Sequence, residues 1–233
     1  MGAIRANLQA VSARIERAAR AAGRDPGAVR LLAVAKTHPA ALVDEAYQAG
    51  QLAFGENYVQ EALGKMDALA CLPLEWHLIG PLQSNKARSA AELFAWVHSI
   101  DSERIARRLS AQRPVALPPL NVLVQVNVSG EPTKSGVTPQ QLPELAHAVA
   151  ALPRLRLRGL MAIPEPARDV ALQRARFRVA RELLERLAAE GLALDTLSIG
   201  MSEDLEAAIA EGSTLVRVGS AIFGARQSAR DAA

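Results

Sequence analysis

Residues 31–50 read LLAVAKTHPAALVDEAYQAG. An apolar run, Leu31 to Ala35, takes in a lysine at position 36, closes at His38-Pro39 and gives way to apolar residues at helical spacing. A short buried strand followed by an amphipathic helix is the half-unit of a parallel sheet. The same unit recurs along the chain. Strand-like runs are LLAVAK, QLAFGE, EWHLIG, AWVHSI, NVLVQVNVS, LRLRGLMAI, TLSIGM and TLVRVGSAIFG. Helical patterns follow at 39–49, 57–69, 83–93, 102–112, 139–151, 169–189 and 203–210. One more helix precedes the first strand, with Ile4, Leu8, Val11 and Ile15 on one stripe and Gly23 closing it.

Eight strands alternating with helices fit either an open doubly wound sheet or a closed (β/α)8 barrel. The count of eight and the even spacing favour the barrel, a fold of about 250 residues. The expectation is therefore an α/β fold: a single TIM-type barrel domain over 1–233, with the additional N-terminal helix plugging or flanking its bottom.

Composition agrees with one soluble domain. The chain has 233 residues, half of them hydrophobic, with only four Phe, two Trp and two Tyr, so Ala, Leu, Val and Ile must build the core. Charged residues make up 22%, which together with the apolar half excludes a disordered chain. No apolar run approaches the roughly 20 residues of a membrane span. A net charge of +3 is too small to imply a nucleic-acid partner. Arg174, Arg178 and Arg181 read as a solvated helical stripe. The lone Cys71 forms no internal disulfide and lies in no thiol-activating pattern, and no signal-peptide pattern opens the chain. A reducing cytoplasm is expected.

In such a barrel, chemistry belongs at the C-terminal ends of the strands. Lys36 stands out there. A charged ammonium in an apolar strand is costly unless partnered, and parity puts Lys36 on the face of Val34, opposite Ala33 and Ala35. Pointing into the barrel mouth, its amine would be desolvated and able to form an imine with a carbonyl. The plain alternative is a lysine snorkelling to solvent. At the other end of the chain, SIGMS runs into a helix with Ser202 read as N-cap, and the eighth strand exits through Gly219-Ser220. Loops after strands seven and eight commonly hold phosphate in barrels. Arg217 shares a strand face with Gly219. It would be either a structural ion-pair partner or a donor to a ring nitrogen. The three elements together describe a pyridoxal 5′-phosphate (PLP) site.

The segments LLAVAKTHP, FGENYVQEAL, WHLIGPLQSNKAR, VNVSGEPTKSGV, LRGLMAIP, LSIGMSEDLEAAI and STLVRVGSAIFGAR, in this order over nearly the whole chain, resemble the pyridoxal phosphate homeostasis protein family. The resemblance implies a barrel like the N-terminal domain of bacterial alanine racemase, in a monomeric form. It implies Lys36 as the imine lysine, Ser202, Gly219 and Ser220 on the phosphate with Met201 beside them, Arg217 facing the pyridine nitrogen, and Asn57 close to the cofactor. No metal is expected. His38, His77, His98 and His147 lack metal-ligand spacing and read as structural. Lys86 and Lys134 lie in rim loops, Lys134 being the better functional candidate, and Asp101 reads as a helix N-cap.

An arginine at the ring nitrogen weakens the electron sink that amino acid chemistry needs. Tyr47 and Tyr58 lie on early helices, leaving no evident second acid/base. The expectation is a carrier that holds PLP and hands it to PLP-dependent apoenzymes, with a weak PLP-dependent amino acid racemase as the alternative. An imine-forming sugar-phosphate aldolase would use the same lysine and phosphate cup, but leaves Arg217 without a ring nitrogen to meet.

Overall fold

The computed structural model describes residues 2–131 and 135–224. Eight parallel strands close into a barrel in chain order. They are β1 (Arg30–Val34), β2 (Ala53–Glu56), β3 (Glu75–Leu78), β4 (Trp96–Ile100), β5 (Leu120–Gln125), β6 (Leu155–Met161), β7 (Thr196–Ser198) and β8 (Leu215–Val218). Closure is made by β8 pairing with β1, Arg30 opposite Leu215 and Ala33 opposite Val218. The helices are α1 (Ala3–Ala21), α2 (Ala40–Gln48), α3 (Val59–Ala68), α4 (Ala87–Leu93), α5 (Glu103–Gln112), α6 (Leu142–Ala150), α7 (Val170–Ala189), α8 (Leu205–Ala210) and α9 (Ser220–Phe223).

Side-chain alternation splits the core in two. Ala33, Ala35, Phe54, Leu78, Val97 and Val124 point outward and pack under the helices. Inside the barrel, Leu32, Val34, Ala53, Ile79 and Leu215 form one apolar cluster and Trp96, Leu123 and Met161 another. The sequence-based strands overrun the observed ones. LVRVGSAIFG, for example, is strand only to Val218, after which Ser220–Phe223 turn into α9.

The N-terminal helix does not plug the bottom. It packs along the outside against α2, α8 and α9. Its first turns reach the top of the barrel, where Asn7 Nδ2 donates to Ile222 O at 2.8 Å. Its stripe of Ile4, Leu8, Val11, Ile15 and Ala19 is buried. The helix that follows β8, α9, has only four residues, Ser220–Phe223, and α1 packs between α2 and α8 where a barrel's last helix would lie. Truncating a buried leucine such as Leu8 to Ala would cost about 2–5 kcal/mol.

The arginine stripe on α7 is not merely solvated. Arg174, Arg178 and Arg181 converge on Glu211 at 2.8, 3.2 and 3.7 Å. Glu211 is 2% exposed. Burial raises its carboxyl, but the bonds from Arg178 and Arg174 prevail and hold it below the usual range. Sequence spacing showed the stripe, whereas its acceptor lies at the end of α8, 30 or more residues on.

Candidate functional site

A cleft of about 490 Å³ opens at the C-terminal ends of the strands, and Lys36, Asn57, Met201, Ser202, Arg217, Gly219 and Ser220 all line it. The parity argument for Lys36 holds, since Leu32 and Val34 lie inside the barrel. The strand itself stops at Val34, so Lys36 sits in the turn that follows, half-buried. The next residue, Thr37, has φ of 65°. A β-branched residue in the left-handed region is strained and persists only where its surroundings hold it. Here Glu61 accepts the Thr37 N–H.

A buried ion cluster supports this turn from behind. Lys65 Nζ donates to Ala35 O at 2.7 Å, to Glu56 Oε1 at 2.7 Å and to Glu61 Oε1 at 3.0 Å. Glu56 is fully buried and its Oε2 has no hydrogen-bond partner. Burial pushes its carboxyl up to about 7, against the bond from Lys65; the charge of Lys36 also lowers it. Sequence reasoning passed over Lys65. The available signal was a carboxylate inside an apolar strand followed by a Glu–Lys pair at i,i+4 spacing.

The other wall comes from the loops after β7 and β8. Gly200 has φ of 91°, and a Cβ there would stand 2.5 Å from Ala208 Cβ, so this turn requires glycine. Ser202 is not the N-cap of the helix. That position belongs to Asp204, whose carboxylate turns back to accept the Met201 N–H at 2.6 Å. Burial raises the Asp204 carboxyl, with the Met201 N–H and the charge of Arg217 opposing. Relieved of capping, the Ser202 hydroxyl accepts from Ser220 Oγ at 3.2 Å. Two hydroxyls from two loops thus face each other on one side of the cleft. From outside, Arg14 on α1 fixes the first loop through Ser202 O at 3.1 Å and ion-pairs with Glu206 at 2.9 Å.

Arg217 is 3% exposed and turned inward. Its Nη1 donates to Ser198 O at 2.6 Å and Ser198 Oγ at 2.8 Å, and its Nη2 to Ala162 O at 3.1 Å. These partners are neutral, and among the described residues no carboxylate forms a salt bridge with Arg217, although the charge of Asp204 acts on it. Burial lowers its pKa to about 10, which leaves it cationic near neutrality. Three bonds use three of the five N–H donors a guanidinium carries, and the side chain borders the cleft. Asn57 enters by close packing: a Cβ on Gly80 would lie 2.2 Å from Asn57 O.

The remaining candidates disperse. His38 lines the cleft and stacks on Phe223 with ring centroids 5.1 Å apart. His147 pairs with Glu190 at 2.9 Å on the surface. Lys86 ends a 3₁₀ turn away from the cleft walls. Lys134 lies outside the described residues. Asp101 is one residue too early to cap α5; Ser102 holds that position and donates to the Asp101 carboxylate at 3.1 Å. Among the described residues, no group of three His, Cys, Asp or Glu could hold a metal ion, and no helix is long and apolar enough to cross a membrane.

An amine at the first strand's exit, in one cleft with paired hydroxyls and a buried guanidinium, marks a class: barrels whose rim holds a phosphorylated carbonyl compound. The comparisons with known proteins agree. The family described as alanine racemase, N-terminal domain, matches residues 6–227. The pyridoxal phosphate homeostasis protein of Pseudomonas aeruginosa is 64% identical over 97% of both chains. That of Escherichia coli is 56% identical over 97% of this chain and 98% of its own. The chain belongs to the alanine racemase N-terminal domain family and, within it, to the pyridoxal phosphate homeostasis proteins. Among solved structures, PipY of Synechococcus elongatus with PLP bound superposes with a TM-score of 0.80 at 43% identity, covering 90% of this chain and 99% of that one. Alanine racemase of Corynebacterium glutamicum, at 17% identity and a TM-score of 0.70, covers 96% of this chain and 60% of its own and shares the fold.

Proposed function

We propose that this chain binds PLP in the cleft and acts as a carrier, holding the cofactor covalently on Lys36 and releasing it to PLP-dependent apoenzymes of the same cytoplasm. The residues present fit the group. Gly219 brings its backbone close to Val34, so that a Cβ would meet Val34 O at 3.1 Å, and Ser202 and Ser220 supply hydroxyl donors for a phosphate. Met201 and Asn57 close the sides. When bound, PLP supplies an aldehyde that condenses with an amine and a ring that withdraws electrons from it.

Arg217 argues for a carrier over an enzyme. A cationic donor at the ring nitrogen keeps that nitrogen unprotonated, because two like charges in contact repel. Tyr47 and Tyr58 lie outside the cleft walls. The observation that carries the proposal is the convergence on one cleft of Lys36, Arg217 and the Ser202–Ser220 pair, drawn from both ends of the chain. The test is borohydride reduction of the PLP-loaded protein followed by peptide mapping. Label on Lys36 is expected. Label mainly on Lys65 or Lys86 would overturn the assignment.

A further inference from the structure

The barrel interior holds a line of polar side chains that cofactor binding does not itself use. Glu75 Oε1 lies 2.8 Å from His77 Nε2, His77 Nδ1 lies 2.9 Å from His98 Nε2, and His98 Nδ1 lies 3.1 Å from Ser198 Oγ. Ser198 Oγ in turn accepts from Arg217 Nη1 at 2.8 Å. The line starts at the first residue of β3, where Glu75 also accepts from Arg30 at 2.6 Å, and ends in the cleft. His77, His98 and Ser198 are fully buried. Burying His77, His98, Ser198 and Arg217 inside a barrel is costly unless every donor meets an acceptor.

The two ends fix every proton between them. A guanidinium can only donate, and an ionised carboxylate can only accept. Glu75 is ionised: the bond from His77, outweighing burial, brings its carboxyl down to about 2. Ser198 therefore accepts from Arg217 and passes its own proton to His98 Nδ1. His98 carries its hydrogen on Nε2 and donates to His77 Nδ1, and His77 carries its hydrogen on Nε2 and donates to Glu75. Reversing the line would aim a bare His77 nitrogen at a carboxylate. Desolvation, the largest effect, favours neutral rings and outweighs the pull of Glu75 toward a charged His77, while Arg30 opposes a charge on either ring and Arg217 one on His98. Trp96 seals them, stacked on His77 at 5.3 Å and edge-on to His98 at 6.0 Å.

We infer that His77 and His98 are positioning residues for Arg217: a one-way hydrogen-bond line from Glu75 through the barrel core holds the guanidinium in register with the cofactor ring. The inference rests on the proposed placement of that ring against Arg217. Its first test does not. Imidazole ¹⁵N–¹H spectra of the cofactor-free protein should show both histidines neutral with hydrogen on Nε2 at pH 7. A doubly protonated His77, or an Nδ1–H form of either, would overturn the line. The second test compares His98→Leu, which cuts the line, with His98→Gln, which retains an acceptor and a donor. PLP affinity should fall about tenfold in His98→Leu, the loss of roughly one net hydrogen bond. The ¹⁵N shift of the bound pyridine nitrogen should change with it, and both should recover in His98→Gln. Should His98→Leu fail to fold, Ser198→Ala breaks the same line. Unchanged affinity and ring-nitrogen shift in a folded variant would refute the positioning role. Correct tautomers with a ring nitrogen insensitive to Arg217→Lys would instead point to a wrong cofactor placement.

Discussion

Lys36 is held by neighbours rather than by a strand. Its turn includes a strained Thr37, and Lys65 grips the carbonyl just before it while also bonding Glu56. A native carboxyl pushed up to about 7 from its usual value of 4.5 retains a proton that the unfolded chain releases. The sign follows: the native state binds more protons between those values, so the Glu56 contribution falls as pH rises through that window and levels off above it. In urea titrations, wild type should lose stability relative to Glu56→Gln between pH 5 and pH 8. Parallel profiles for the two proteins would contradict this. The paired serines set a second expectation. Each offers a charge-assisted hydrogen bond to phosphate, worth about 1.5–3 kcal/mol. Ser202→Ala and Ser220→Ala should each weaken PLP binding by roughly ten- to a hundredfold in equilibrium titrations, and pyridoxal without phosphate should bind far worse. Normal binding by both variants would place the phosphate elsewhere.

At the scale of elements, α1 does what a barrel's last helix usually does, and it also fixes the segments after β7 and β8 that carry Ser202 and Ser220. Asn7 holds the end of α9 and Arg14 holds Ser202 O. The Arg14–Glu206 pair is partly solvated, so its worth to stability is at most about 1 kcal/mol. Arg14→Ala should then lower the melting temperature by no more than about 4 °C. Its effect on PLP affinity should be larger in proportion, up to about tenfold, because the loop carrying Ser202 loses its anchor. Calorimetry and cofactor titration on one sample separate the two. A large melting shift with unchanged affinity would make Arg14 a purely structural residue.

For the whole molecule, the question is whether bound PLP does chemistry on amino acids. Catalysis at Cα needs a strong electron sink and a placed acid or base. In the proposed placement the buried, cationic Arg217 opposes the first, and the described cleft walls offer His38 as their one imidazole. Solvent deuterium exchange at Cα, followed for a panel of L- and D-amino acids, should stay well below about 1 s⁻¹, the low end of typical turnover. Exchange at that rate would favour the racemase reading, and its loss in His38→Phe would assign the base. Arg217→Glu probes the sink. A carboxylate favours a protonated ring nitrogen, so exchange gained in that variant shows the arginine to be the restraint.

Periodicity showed a parallel sheet and the strand count favoured closing it as a barrel, while parity pointed Lys36 inward against the alternative of a snorkelling side chain, because alternation along a strand is a local property. Arg217 and the Gly219-Ser220 exit were legible for the same reason, as they lie within four residues at the end of one strand. What joins distant segments was not legible. Ser202 looked like a helix cap because it precedes an acidic first turn; Asp204 took that contact once the chain folded back on Met201. The arginines of α7 found Glu211, and of the two places expected for α1 it took a flank, against α2, α8 and the four-residue α9. The histidines gave no sign of acting together, being 21 residues apart on adjacent strands. Sequence determines which side chains face inward. Only closure of the barrel decides which of them meet, since a contact across its interior depends on register and curvature that no single segment carries.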